Sequence, residues 1–242
     1  MVFIEECTAT WCPNCPMCAE ALYNLHESGE YSFAFVALIH DMNPTAQQRL
    51  DEYTMGLYRG YAFPTTYIDG GILNIVGRGS TIAQTENLYR DIIEEGASRN
   101  PNQHIVLDTT VEWLGDATIT VTLEITNEGK GLYLGKVRSY VSEIESRWNN
   151  YDGNPYHFGF LDFAINKIVF LLPGKTQIIT AEWDGSQNHN GLFFGDIEKE
   201  NINVISTISH WKPSMQTGYE SNTFTQKYLA FPVDQTHSAM VE

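Results

Sequence analysis

The sequence predicts an α/β layered domain over residues 1–99, followed by an all-β sandwich over residues 100–213. Three observations carry this. Helical patterning alternates with short apolar runs up to about residue 99. Beyond it period-2 alternation takes over, most clearly in Thr118-Ile119-Thr120-Val121-Thr122-Leu123-Glu124-Ile125, which ends in the turn Asn127-Glu128-Gly129. Between the two lies Asn100-Pro101-Asn102, the composition of a linker. Lysine use changes at the same place: residues 1–100 hold five Arg and no Lys, and all seven Lys lie beyond.

Val2 to Thr8 reads as a short buried strand. Trp11-Cys12-Pro13-Asn14-Cys15-Pro16 is a turn entering a helix, whose apolar face continues through Ala19, Leu22 and Leu25 until Gly29 stops it. Ser32 to His40 is an almost unbroken apolar run, as suits a central strand covered on both faces. Asn43-Pro44-Thr45 opens a second helix, roughly Thr45 to Met55, with Thr45 as its expected cap. Phe63 to Ile68 forms a third strand, Asp69-Gly70-Gly71 a tight turn, and Ile72 to Val76 the hairpin partner. A helix from about Ile82 to Ala97, capped by Thr81, closes the domain. In the second region strands are expected at Ile105 to Trp113, Lys136 to Ile144, Ile165 to Leu172, Thr176 to Trp183 and Ile202 to Trp211. No internal repeat is evident. Residues 214–242 read as a polar, irregular tail whose placement the sequence does not give.

Composition narrows the function classes. Of 242 residues 43% are hydrophobic and 18% charged, which supplies a buried core and excludes disorder. A net charge of −16 repels phosphate backbones, so nucleic acid is not an expected partner. No run approaches the ~18 apolar residues of a membrane helix. Met1 leads directly into Val2-Phe3-Ile4-Glu5-Glu6, without a basic segment or an apolar leader. The expectation is a soluble globular protein, or the mature part of an exported one.

The four cysteines fall together at Cys7, Cys12, Cys15 and Cys18. A disulfide-stapled fold would spread them through the chain, so their confinement points to chemistry. Two thiols separated by two residues can close a small disulfide ring when the second begins a helix. The first then lies where unpaired N–H groups and the helix dipole favour an anion, which makes it nucleophile and good leaving group. Cys12 is therefore the expected attacking thiol and Cys15 the resolving one. Trp11 would cover the pair with an apolar rim, Pro13 restrain the ring, and Pro16 sit in the first helical turn, where no N–H bond is lost. A structural zinc half-site is the alternative reading. Cys18, with Cys12 and Cys15, could offer a third thiolate to Cu(I) or Zn, or pack as a small apolar side chain. Cys7 on its strand is expected to be buried, with redox exchange as its alternative.

Trp11-Cys12-Pro13-Asn14-Cys15 at a helix N-terminus, Phe63-Pro64-Thr65 before a strand, the Gly70-Gly71 hairpin and the closing helix resemble the thioredoxin family. The resemblance covers about two-fifths of the chain. In that family the motif proline is cis and lies beside the disulfide, which implies the same for Pro64. The family often carries a buried acid that accepts the resolving cysteine's proton, which implies a general-base role for Glu6; the alternative has Glu6 in solvent and Glu5 opposite, since alternation turns only one of them inward. The resemblance further implies a substrate groove formed by Trp11, Pro13, Phe63, Pro64 and Thr65. The β-rich remainder is similar in architecture to the immunoglobulin-like domain appended to some exported thioredoxin-like proteins. Three departures stand out: the Pro13-Asn14 pair, a bulky Phe63 before the motif proline, and the extra Cys7 and Cys18.

The resulting expectation is a thiol–disulfide oxidoreductase acting on protein or peptide disulfides and dithiols, served by a redox partner protein and requiring no cofactor or metal. The rival is a metal-binding (Cu or Zn) or adhesion module on the same scaffold. Cysteine confinement suggests an extracytoplasmic site of action if a leader has been removed, and a cytoplasmic one otherwise. None of the seven His forms a metal-spaced pair; His40 is expected as an ordinary strand-end residue, with an approach to the active-site edge as the alternative. Asp184 to Gly191 is rich in oxygen ligands but lacks a calcium loop's terminal Glu, so a hairpin loop is expected. Asn149 to Tyr156 is expected as a polar, aromatic loop forming a solvated connection between strands, with recognition, which such loops carry on sandwich folds, as the alternative.

Overall fold

Strand β1 (Val2–Thr8) is buried along its whole length, so it lies inside a sheet with both faces covered. A computed structural model describes residues 1–54, 62–99, 104–221 and 224–241 of the chain. β1 pairs in parallel with β2 (Phe33–Ile39) and antiparallel with β3 (Thr65–Ile68), which turns back into β4 (Leu73–Val76). The parallel pair needs a crossover, and α1 (Cys15–Ser28) supplies it. Together with α3 (Ile82–Ser98), α1 covers one face of the sheet, burying Leu22, Leu25, Tyr89 and Ile93 against Ile4 and Phe35. The opposite face packs Phe3, Val36 and Tyr67 against Leu50 and Tyr53 of α2 (Pro44–Thr54).

The helix ends follow local rules. Gly29 stops α1 at φ 65°, and Thr81 Oγ1 accepts the Gln84 N–H at the start of α3. At α2 the cap is Asn43 and not Thr45: Asn43 Oδ1 accepts the N–H groups of Thr45 (2.9 Å) and Ala46 (3.4 Å). Pro44 already occupies the first helical position, where its missing N–H costs nothing, so the cap falls one residue before it. Asn43 also donates to the carbonyls of Phe160 and Leu161, which ties α2 to the β-rich region.

That region comprises β5 (Ile105–Gly115), β6 (Thr118–Asn127), β7 (Tyr133–Asn149), β8 (Pro155–Leu171), β9 (Thr176–Asp184) and β10 (Ile202–His210). The strand expected at 136–144 lies inside β7 and the one expected at 165–172 falls at the C-terminal end of β8; both belong to a much longer β7–β8 hairpin, bent by register shifts. Every strand pair within the region is antiparallel. Sheet β5-β6-β9 packs over β7, β8 and β10, with Ile119, Val121, Leu123, Val137, Leu161 and Val204 between them. This is the face-to-face arrangement of a sandwich.

The tail is ordered into strands: hairpin β11 (Ser214–Ser221) and β12 (Phe224–Ala230), then β13 (Val233–Met240) on the edge beside β10. It returns to the first region. Phe231 and Val233 N–H groups donate to Gly70 O and Asp69 O, and Tyr228 Oη donates to Gly71 O (2.6 Å). Gly70 has φ +74°, and a Cβ there would lie 1.9 Å from Phe231 O, so only glycine admits this closure.

The expected linker at residues 100–102 lies outside the described residues. The sheet itself continues across that boundary, in the order β13-β10-β7-β8-β2-β1-β3-β4. The junction is a parallel contact of β2 with β8, at Ala37 and Gly159. Gly159 has no room for a side chain, since a Cβ would lie 2.4 Å from Ser146 Oγ. The sandwich core likewise reaches Ala37 and Ile39 of β2 and Ala19 of α1.

Candidate active site

Cys12 and Cys15 form a disulfide with Cα atoms 5.5 Å apart. Cys15 is the first residue of α1, with Pro16 in the opening turn, and Cys12 sits in the loop just before it. Cys12 N–H donates to Ala9 O (3.1 Å) and Cys15 N–H to Cys12 O (3.3 Å), which fixes the ring. The residue before the helix, Asn14, does not cap it: its Oδ1 accepts from Arg78 Nε instead (3.1 Å), and the first turn holds no acid. The N-terminal N–H groups and the positive end of the dipole are thus left to whatever anion forms at Cys12. That is the electrostatic setting of a reactive thiolate.

An aromatic wall surrounds the pair. Phe63 packs against Ala9, Cys12 and Cys15, and its ring meets Trp11 edge-on (5.6 Å) and His40 (5.4 Å). Trp11 is 59% exposed, whereas Cys12 is only 2% exposed. The Phe63–Pro64 peptide is cis, Pro64 is buried, and its carbonyl accepts the Gly77 N–H. Pro13 is exposed at the tip of the motif. Thr65 is buried and donates its hydroxyl to Ala62 O (2.7 Å). His40 therefore stands at the wall, where burial lowers its pKa. Arg78 was not legible in advance: it follows β4, far along the chain, and reaches Asn14 and the Met17 sulfur.

Glu5 and Glu6 are both fully buried, so the expectation that only one turns inward fails. Alternation sends them to opposite faces, but β1 is central and each face is covered. On one face Glu5 takes two bonds from the Arg49 guanidinium (2.7 and 2.8 Å), a bond from Tyr53 and one from Tyr140 (3.0 Å). On the other face Glu6 stands opposite Thr66 and Ala37, and neither carboxyl oxygen has a hydrogen-bond partner among the described residues. Burial pushes its pKa up from 4.5 to about 8. Its field reaches Cys18, Tyr89 and Tyr156.

The remaining thiols are quiet. Cys7 is buried on the Glu5 side, and desolvation holds its pKa well above the usual range. Cys18 is buried on the Glu6 side, its thiol donates to Gly77 O (3.6 Å), and desolvation pushes its pKa up to about 12. Neither is a thiolate near neutrality. Cys18 packs in a different buried cluster from Cys12 and Cys15, and no group of three or more His, Cys, Asp or Glu among the described residues is arranged to hold a metal. The metal-handling alternative therefore finds no donor set. In the oxygen-rich 184–191 loop, Asp184 is taken up by Ser186 and Gln187, and His189 bridges Asp162 and Asp184 O. The 149–156 segment shortens to a tight Asn150–Asn154 turn; Tyr156, expected in that loop, is buried in β8. Among the described residues no helix is long and apolar enough to cross a membrane.

No family model matches the chain, and no curated protein does. Solved structures do. HBP35 of Porphyromonas gingivalis superposes with a TM-score of 0.66 at 15% identity, over 99% of this chain and 74% of that one. The protein AGR_C_4864 of Agrobacterium tumefaciens superposes with a TM-score of 0.57 at 12% identity, over 99% and 93%. At such identities the likeness concerns the fold. The N-terminal α/β region has a thioredoxin-like fold, the larger β-rich region follows it, and the buried Cys12–Cys15 pair at the helix N-terminus is a disulfide oxidoreductase centre.

Proposed function

We propose that the protein is a thiol–disulfide oxidoreductase of protein or peptide substrates. The observation that carries this is the Cys12–Cys15 disulfide at the uncapped N-terminus of α1. With the centre reduced, the Cys12 thiolate attacks one sulfur of a substrate disulfide, forms a mixed disulfide and expels the other substrate sulfur as thiolate. Cys15 then loses its proton, attacks the Cys12 sulfur and releases the second substrate thiolate, leaving the centre oxidised and the substrate reduced. Run backward, the same steps oxidise a substrate dithiol. A redox partner protein of dithiol or disulfide chemistry resets the centre in either direction.

Glu6 is the proposed base for the Cys15 proton. Its support is burial on the α1 face, a pKa that burial raises to about 8 and the lack of a hydrogen-bond partner among the described residues. Trp11 and Phe63 flank the substrate strand, the exposed Pro13 borders it, and Pro64 with Thr65 shapes the edge along which it aligns. We further infer that residues 1–99 and 100–213 are two domains sharing one sheet, the second immunoglobulin-like; its support is the pair of facing antiparallel sheets. An extracytoplasmic site of action is supported by the confinement of all cysteines to residues 7–18.

The test is a pair of variants in an insulin- or model-disulfide-reduction assay. Cys12→Ser abolishes turnover, and Cys15→Ser accumulates a substrate mixed disulfide detectable by mass. Turnover retained in Cys12→Ser would overturn the mechanism.

A further inference from the structure

We infer that Tyr156, contributed by the β-rich region, is a positioning residue of the redox centre, fixing the loop that carries Cys12. This deepens the oxidoreductase reading and rests on it. Tyr156 enters at the start of β8 and is fully buried. Its hydroxyl accepts from Thr8 Oγ1 (2.8 Å) and donates to Ala9 O (3.1 Å). Ala9 O is also the acceptor for the Cys12 N–H. One carbonyl is therefore held between the nucleophile's own amide and a side chain 147 residues away. Ala9 packs directly on both cysteines.

The two residues after Tyr156 grip the same unit from other sides. His157 stacks on Tyr23 of α1, with ring centroids 3.5 Å apart and planes 6° apart. Phe158 takes φ +51°, breaking the strand's alternation, and packs on His26 of α1 and Phe35 of β2. Three consecutive residues of β8 thus hold the loop before Cys12 and the helix that begins at Cys15. The relative placement of those two elements decides where the Cys12 sulfur lies against the helix N-terminus, and so how well a thiolate is stabilised there.

The hydroxyl is suited to this because it keeps its proton. Burial, above all, raises its pKa beyond the ordinary 10. The titratable groups whose fields reach it are Glu6 of β1, Asp41 after β2 and Cys18 of α1. It remains a donor to Ala9 O throughout the range in which the Cys12 thiol titrates.

The experiment compares the full-length protein with Tyr156→Phe, which preserves shape and removes both hydrogen bonds, and with Thr8→Val, which removes one from the loop side. Equilibration with reduced and oxidised glutathione gives the dithiol–disulfide equilibrium constant, and the pH dependence of iodoacetamide alkylation gives the Cys12 pKa. We expect Tyr156→Phe to change the equilibrium constant about fivefold, the worth of roughly one hydrogen bond differing between redox states, and to displace the alkylation midpoint. Thr8→Val moves both in the same sense, and the double variant moves them no further than Tyr156→Phe. A Tyr156→Phe protein that melts earlier but keeps the wild-type constant and midpoint would show a purely structural tyrosine and overturn the inference. Should Tyr156→Phe not fold, Thr8→Val decides alone on the same two readouts. Both quantities belong to the Cys12–Cys15 couple whether or not a substrate is turned over, so failure here is separate from failure of the Cys12→Ser test.

Discussion

Replacing Glu6 with Gln should remove most of a pH-dependent stability loss that the wild-type protein shows between about pH 4.5 and pH 8. Below pH 4.5 the carboxyl is protonated in folded and unfolded chains alike. As pH rises past 4.5 the unfolded chain releases its proton while the folded protein holds it, so stability falls. The fall is complete once the folded carboxyl also ionises, near pH 8. Moving a carboxyl from 4.5 to about 8 corresponds to about 5 kcal/mol. About 3 kcal/mol of this is already lost by pH 7. The assay is urea unfolding of the oxidised proteins from pH 4 to pH 9, so that Cys12 and Cys15 do not titrate. Asp69 and Asp234, whose pKa values burial also raises, contribute to both curves and cancel in the difference. Glu6→Gln should therefore gain on the wild type steadily up to pH 8 and then run parallel to it. Curves parallel from pH 4 onward would refute the burial of an unpaired carboxyl at position 6.

Other perturbations test the frame around the site. Arg49→Met should cost about 3–5 kcal/mol in urea unfolding, because it strands the buried Glu5 carboxylate without its cation. Gly159→Ala should cost about 1–3 kcal/mol by driving a methyl group into Ser146 at the β2–β8 junction, and Ser146→Gly in the same chain should recover part of it. Phe63→Ala should raise the rate at which a small thiol reduces the disulfide several-fold, since Cys12 lies nearly buried beneath the aromatic wall; an unchanged rate would mean that this ring does not limit access.

What the sequence revealed and what it hid divide along physical lines. The thiol pair, its helix and the cap at Thr81 were legible because each is a local pattern in which the residue and its partner lie within a few positions. The cap of α2 falls at Asn43, two residues before the expected Thr45, because Pro44 takes the first helical position. Glu5 departs from the expectation for a different reason. Alternation reports which face a side chain occupies, but only topology reports whether that face is covered, and β1 is flanked by β2 and β3 with layers on both sides. Tyr156 and Arg78 were invisible, as each reaches the redox loop from more than sixty residues away. A tyrosine beside Asn154-Pro155 reads as surface loop until the long β7–β8 hairpin is known. The continuous sheet left a single trace, Gly159, whose meaning depends on Ser146 lying against it.

The adjacent acids of β1 form an internal comparison that bears on function. Both are removed from water on the same strand, and burying an uncompensated carboxylate is costly. For Glu5 the fold meets that cost with a bidentate arginine and two tyrosine hydroxyls, brought from α2 and β7. For Glu6, one residue further on, it supplies none among the described residues, and Thr66 and Tyr89 bond to each other instead. Partners would hold Glu6 ionised and lower its pKa; without them burial raises it to about 8, on the face covered by the helix that carries Cys15. Under the proposed general-base role, the stability lost at position 6 would accompany transfer of the Cys15 proton.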